Sequence, residues 1–518
     1  MILKNLLCLF VIALFVPFRA FADEYTNPII DADYSDPDVI RVGDDFDLTA
    51  SSFNSVPGLP ILHSKDLVNW KIIGHALQRQ PPFDVFARPQ HGNGVWAPSI
   101  RFRDNHFYIF YGDPDFGIYM VKARNAAGPW SQPLLIRAAK GWIDPCPFWD
   151  DDGNAYLVHA WANSRSGIKS ILTINRMSPD GTKLLDEGKI VFDGRAHHPT
   201  IEGPKLYKRN GYYYIFAPAG GVAAGWQTVL RARNIYGPYE DKIVMDRGHT
   251  EINGPHQGGW VELKSGKSWF IHFQDRGAYG RIVHLQPVKW LFDWPVIGVD
   301  NDGDGKGEPV AKYRKPDVGR VYPVQAPQTS DEFNGKRLGL QWQWHANPRD
   351  EWSSLSLRRG WLRLTSVPAS GENLWAAPNL LLQKLPARQF TATTFVDASH
   401  LREDERSGLV IMGRDYSYLA VHRTSTGLRV VRVVCNEALK NTAEQEMGAV
   451  ELKSNSVYLR VEVTDGALCR FSYSTDGIRF ELLGDEFKAQ PGMWIGAKVG
   501  LFVLGSKQGY ADYDWFRF

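Results

Sequence analysis

The sequence predicts an all-β chain built as a five-bladed β-propeller followed by a β-sandwich. Three observations carry this expectation. A polar turn followed by alternating aromatic and aliphatic residues recurs five times, starting at Gly43, Arg103, Asp150, Lys208 and Lys264, roughly 50 to 60 residues apart. Amphipathic helical periodicity is nearly absent. Beyond about Pro309 the recurring pattern stops at a proline-bearing, irregular stretch, and alternating runs such as "WLRLTSV", "LRVVRVV" and "SVYLRVEV" take over.

The elements follow in order. "MILKNLLCLFVIALFVPFRAFADEY" joins an early lysine, an apolar core and the small-residue pattern Ala20-Phe21-Ala22, which reads as an export signal over residues 1–22. The apolar run is short for a membrane span, and Cys8 lies too early to be a lipid anchor. The mature protein is therefore expected to be periplasmic or secreted. Residues 23–315 form the propeller: each blade is a small sheet that buries its faces only against neighbouring blades. The echoes "KDLVNW", "NAAGPW" and "NIYGPY" fall at comparable places in three blades. Residues 316–328 are a linker, short and proline-bearing, so the domains should pack against each other. Residues 329–518 form the sandwich.

Composition narrows the function. With 44% hydrophobic and 22% charged residues the chain is globular, and a net charge of +2 without a clustered basic stripe excludes nucleic acid as partner. Aromatic residues make up 13%, which suits strands and also surfaces that bind sugar faces. Cys146, Cys435 and Cys469 remain after export; an odd count argues against a disulfide framework, and a Cys435–Cys469 bridge stays open.

Three carboxylates stand out by context: Asp36 in "YSDPDVI", Asp144 in "WIDPCPFWDDDG" and Glu202 in "IEGPKLY". Each precedes a proline or a Gly-Pro pair and comes shortly before a blade's opening strand. Equivalent positions of different blades converge at one end of a propeller channel, so the three are expected to meet there.

Together with "NPIIDADYSDPDVIRVGDD", "ILHSKDLVNW", "GVWAPSI", "GPHQGGW" and "YGRIVHLQPVKW", these stretches resemble glycoside hydrolase family 43, of the kind whose propeller carries a C-terminal lectin-like, concanavalin A-like sandwich. "GAKVGLFV" and "YADYDWFRF" resemble that sandwich's closing strands. The resemblance implies an inverting hydrolase with Asp36 as general base, Asp144 tuning and orienting the acid, and Glu202 as general acid. Such chemistry needs one protonated and one ionised carboxyl on opposite faces of the sugar. It further implies Trp96 and Phe53 as pocket walls, Arg281 reaching substrate or base, and His256 near the channel axis, where a calcium ion sits in some relatives. No cofactor is required; a structural calcium at His256 is the one metal expectation. The implied substrate is a hemicellulose oligosaccharide losing terminal β-D-xylose, with α-L-arabinofuranose as alternative. A carbohydrate-binding propeller without catalysis is the reading from a different class, against which the three carboxylates count. The oligomeric state stays open.

Other features temper this picture. Asp300, Asp302 and Asp304 begin like a calcium loop, but Ala311 stands at the twelfth position, so the stretch reads as an acidic surface turn. Asp47 places a charge in a blade strand. The resemblance also implies that a loop of the sandwich closes over the rim of the propeller pocket. Alternatively, Trp342, Trp344 and Trp375 form a binding face of their own.

Overall fold

The computed structural model describes residues 24–368, 371 and 373–518, so the expected export signal and Cys8 lie outside the described residues. Five antiparallel four-stranded sheets form the propeller. Their innermost strands are Asp38–Val42, Trp96–Arg103, Trp142–Trp149, Lys205–Arg209 and His256–Glu262. The five recurring sequence stretches mark the first hairpin turn and second strand of each blade, so each blade opens one strand earlier than the repeat suggested. That displacement has a physical reason. The second strand is buried on both faces and carries the strongest apolar signal, whereas the innermost strand must present polar groups to the channel.

The three echoes share one device. After the third strand, an aromatic side chain folds back on its own turn: Trp70 Nε1 donates to Leu67 O at 2.8 Å, Trp130 Nε1 to Ala126 O at 3.0 Å, and Tyr239 Oη to Ile235 O at 2.7 Å. The N-terminal segment fastens the ring. Glu24–Thr26 pairs with Lys312–Arg314, and the Asn27 side chain donates to Leu285 O and Val310 O while accepting from Leu285 N.

Polar groups cross the channel in a chain beneath the mouth. Arg101 pairs with Asp38 at 2.6 Å, donates to Cys146 Sγ at 2.9 Å and lies over the Tyr207 ring. Lys205, fully buried, donates to Pro98 O and Ser99 Oγ. Such partners are what make buried charge tolerable.

Asp47 sits in Asp45–Thr49, buried, with one carboxylate oxygen lacking a partner. Burial, then the nearby Asp45 charge, pushes it up to about 7, so the strand accommodates a carboxylic acid through protonation. In the Asp300 turn Asp300 accepts from Gly303 N and Gly305 N, and Lys306 bridges Asp304 and Asp246.

The sandwich packs a seven-stranded sheet against an eight-stranded one. Cys435 ends Leu428–Cys435 in the first sheet, and Cys469 lies in Leu468–Ser474 of the second; with Cys146 they are buried and free, so the open bridge is not made. The alternative binding face is also overturned. Trp342 and Trp344 are core residues, and Trp375 stacks on His91 of the propeller at 3.6 Å. These tryptophans face the core or the other domain because the domains are docked: Val56 and Trp344 exchange backbone hydrogen bonds, and Asn347 bonds Gln80 and Phe86.

Candidate active site

One structural position recurs in all five blades at the channel mouth. It reads Ser35-Asp36-Pro37, Trp96-Ala97-Pro98, Ile143-Asp144-Pro145, Glu202-Gly203-Pro204 and His256-Gln257-Gly258. The middle residue of each is left-handed, with φ of 53°, 29°, 58°, 59° and 34°. Four of the five are not glycine, and a left-handed non-glycine residue costs on the order of 1–3 kcal/mol, which the surrounding packing must hold in place. This corrects the expectation that the three carboxylates occupy equivalent positions. Asp36 and Asp144 are the left-handed residues of their blades, but Glu202 precedes its own and matches Trp96 and His256. Asp144 also lies within its strand, at a break in register between Ile143 and Cys146.

A recess of about 100 Å³ at this mouth is lined by Asp36, Asp144, Glu202, Phe53, Trp96, Arg281 and His256, the seven residues singled out in the sequence. Larger recesses exist elsewhere; one that also gathers carboxylates, Asp246, Asp302, Asp304 and Glu308, is a surface recess where Lys306 pairs with Asp246 and Asp304 and His249 with Glu308. The size matches a single sugar residue more than the roughly 300–1,000 Å³ of pockets for larger ligands.

The carboxylates have distinct surroundings. Asp36 is buried; its Oδ2 accepts from Ser51 Oγ at 2.6 Å, and Arg281 Nη1 stands 3.2 Å from Oδ1. Burial pushes its pKa up, while Arg281, Ser51 and Lys205 pull it back. Asp144 accepts from Gly203 N at 2.8 Å. Burial and the Asp36 charge raise it, and Glu202 is raised by burial, then by Asp144 and Asp36. Glu202 thus feels burial and both neighbouring aspartates, all pushing it up, and is the carboxyl of the three that most readily holds a proton. The Glu202 side chain is 30% exposed, which leaves its carboxyl open to the recess.

His256 Nε2 lies 3.5 Å from Glu202 Oε1. Burial and then Arg281 depress the imidazole to about 3, so the contact is between neutral ring and carboxyl and is not an ion pair. Calcium takes about six to eight oxygen ligands. Around His256 the structure supplies a ring nitrogen and the Glu202 carboxyl, and among the described residues the only cluster of three potential ligand side chains is Asp300, Asp302 and Asp304. These residues do not make a calcium cage at His256, and no step below passes through a metal.

Several lining residues escaped the sequence reading. Gln257 and Ala97 belong to the five-fold tripeptide, whose recurrence was a usable signal. Trp494 comes from the sandwich: it is 52% exposed, stands on the rim, and its ring lies 6.0 Å from Trp96. Nothing short-range links Trp494 in "PGMWIGAKV" to pocket residues that lie 213 to 458 positions earlier in the chain.

The loop carrying Trp494 is held by close backbone contact. A Cβ on Gly92 would stand 2.9 Å from that of Met493, and one on Gly496 would stand 2.6 Å from Gly280 N. Asp33 closes the clasp. Its Oδ2 accepts from Gly496 N at 3.0 Å, while Oδ1 accepts from Arg281 N at 2.9 Å and Ser35 Oγ at 3.2 Å. One buried carboxylate thus joins the sandwich loop to the arginine paired with Asp36.

Comparison with known proteins agrees with this architecture. The family model for glycosyl hydrolases family 43 matches residues 25–295, and the β-xylosidase C-terminal concanavalin A-like domain matches residues 330–518. A putative β-xylosidase of Xylanibacter ruminicola is 42% identical over 92% of this chain and 85% of its own. A non-reducing end α-L-arabinofuranosidase of Bacteroides ovatus is 29% identical over 95% and 94%. The crystal structure of xylan β-1,4-xylosidase from Bacillus halodurans superposes with a TM-score of 0.84 at 26% identity, covering 95% of this chain and 99% of that one. With its propeller, its sandwich and more than half its length matched, the chain belongs to glycosyl hydrolases family 43 and is a glycoside hydrolase.

Proposed function

We propose that this hydrolase removes single terminal β-D-xylose residues from hemicellulose oligosaccharides with inversion. The observation that carries the reading is the asymmetry of the carboxylates in a recess sized for one sugar. Glu202 retains a proton and opens to the recess, whereas Asp36 is held by Arg281 and Ser51.

In this reading Glu202 gives its proton to the glycosidic oxygen as the bond to the anomeric carbon breaks. Asp36 takes a proton from the water that attacks the opposite face. The charge of Asp144 pushes Glu202 toward its protonated form, and Asp144 fixes the acid's backbone through Gly203 N. Trp96, Phe53 and the rim residue Trp494 wall the sugar. No resident cofactor is needed. The protein is exported in the same reading, with a mature chain beginning at Asp23, which N-terminal sequencing of the secreted or periplasmic product checks.

The β-xylosidase names among the relatives support xylose, and the Bacteroides ovatus relative makes arabinofuranose the second reading. Nitrophenyl β-D-xyloside is expected to be the faster substrate over nitrophenyl α-L-arabinofuranoside. Proton NMR of the early product should show the inverted anomer. Faster arabinofuranoside turnover overturns the sugar assignment; a retained anomer overturns the mechanism; no turnover of either favours a binding propeller.

A further inference from the structure

A recess of about 890 Å³ opens at the end of the propeller away from the carboxylates. Its wall includes Gly266–Trp269, the hairpin end of the fifth blade, whereas His256 at the opposite end of that blade's first strand faces the pocket. The segment from Tyr313 to Tyr322 forms the other wall.

Charge sets this recess apart. Arg209, Lys267, Lys289, Arg314, Lys315 and Arg320 line it, against the carboxylates Asp66 and Asp317. That local excess is larger than the net charge of +2 for the whole chain. The carboxylates are already engaged: Asp66 accepts hydrogen bonds from Ser64, Val68 and Asn69 of its own turn, and Asp317 accepts from Gly319 N. Among the described residues Lys267, Lys289, Arg314 and Lys315 have no ion-pair partner, and Arg209 has only a 3.6 Å contact with Asp293. The cations come from separate stretches of sequence, so no basic stripe shows along the chain.

Aromatic faces are interleaved with the charge. The Arg209 guanidinium lies 4.4 Å from the Trp290 ring centroid and that of Arg320 4.6 Å from Tyr322. Stacking holds each guanidinium in place; Arg320 Nε donates to Tyr322 Oη at 2.6 Å, and the remaining guanidinium donors can meet a carboxylate. Aromatic walls meanwhile offer apolar area to sugar rings.

We propose that this recess binds a glycan chain bearing uronic acid carboxylates, as a tether separate from the catalytic pocket. A neutral glycan would leave the unpaired cations without a counterpart. The recess is also an open groove at the far end of the propeller, so a polymer held there is not the residue being cleaved. Its role is to keep the enzyme on acid-substituted polysaccharide while the pocket trims other chain ends.

The test is affinity electrophoresis in gels containing polygalacturonate at about 0.15 M salt, where screening acts beyond about 8 Å. Neutral arabinoxylan and a single-stranded oligonucleotide serve as the comparison polymers. The expected result is retardation by polygalacturonate, weaker retardation by both comparison polymers, and at least about tenfold loss of affinity, about 1.4 kcal/mol, in the Lys289→Glu/Lys315→Glu double variant. Hydrolysis of nitrophenyl glycosides should be unchanged in that variant, which also shows it is folded. The proposal is overturned if wild type is not retarded, if the double variant binds equally, or if the oligonucleotide or arabinoxylan binds as tightly as polygalacturonate.

Discussion

Replacing Asp33 with alanine tests whether the sandwich acts on the base through one buried carboxylate. The substitution leaves Gly496 N and Arg281 N without acceptors in a closed interface. An orphaned buried N–H costs about 1–3 kcal/mol, so the two together cost about 2–6 kcal/mol, read as a lower urea midpoint. The functional effect follows from Arg281. Arg281 is the largest of the influences opposing the burial of Asp36, whereas the Asp33 charge, which the substitution also removes, raises Asp36 and is the smallest influence on it; loosening Arg281 outweighs that loss and lets the Asp36 pKa rise. The acid limb of the kcat/KM profile on a nitrophenyl glycoside should therefore move to higher pH, with kcat reduced about tenfold or more by the misplaced base. Asp33→Asn keeps one acceptor oxygen and should lie between wild type and Asp33→Ala in both readouts. A purely structural role would lower the urea midpoint and leave the acid limb in place. An Asp33→Ala protein with the wild-type midpoint and wild-type acid limb would refute the reasoning outright.

The catalytic roles give further tests. Because Glu202 is pushed up to about 8, kcat/KM should fall as pH rises through that value. Glu202→Gln should remove this alkaline limb and lose far more activity on natural glycosides than on substrates whose leaving group needs no proton, whereas Asp36→Asn should fail on both. Asp47 carries its proton to about pH 7 when folded but loses it near the ordinary carboxylate range when unfolded. The native state then binds more protons, so this group makes stability fall as pH rises between about 4 and 7, by about 4 kcal/mol at most. Asp47→Asn should flatten that slope and raise the melting temperature at neutral pH. Truncation after Gln328 removes Trp494 and the partner of Asp33, and should abolish activity even on small soluble glycosides; a stable, fully active propeller would show that the sandwich is not part of the site.

What the sequence disclosed depended on the distance over which each signal acts. The blades were legible because the second strand of each, as in "NGYYYIFAP", is buried by local alternation that needs no knowledge of the rest of the fold. Asp36, Asp144 and Glu202 were legible because each precedes a proline or a Gly-Pro pair shortly before a blade's opening strand, in stretches that resemble the family in order. Their offset was not, since the left-handed residue that shifts Glu202 against Asp144 is glycine in one blade and aspartate in the other. Trp494 and Asp33 were hidden for another reason. Neither has meaning until the second domain is docked, and their neighbours in sequence look like ordinary loops. Trp342, Trp344 and Trp375 misled in the opposite sense: aromatic content alone does not say whether a ring faces a sugar, a core or another domain.

The hydrogen bond between Asp33 and Gly496 spans 463 residues of chain. A contact of that separation forms only after the intervening loop entropy has been met by everything between, so it belongs among the last events of folding. A newly emerged propeller therefore passes through a stage in which all of its own carboxylates are in place and the pocket still lacks its rim. Catalytic competence would arrive as a late step, after most of the secondary structure has formed. During refolding, regain of activity should lag the recovery of strand signal, and the length of that lag measures how long the two domains take to find each other.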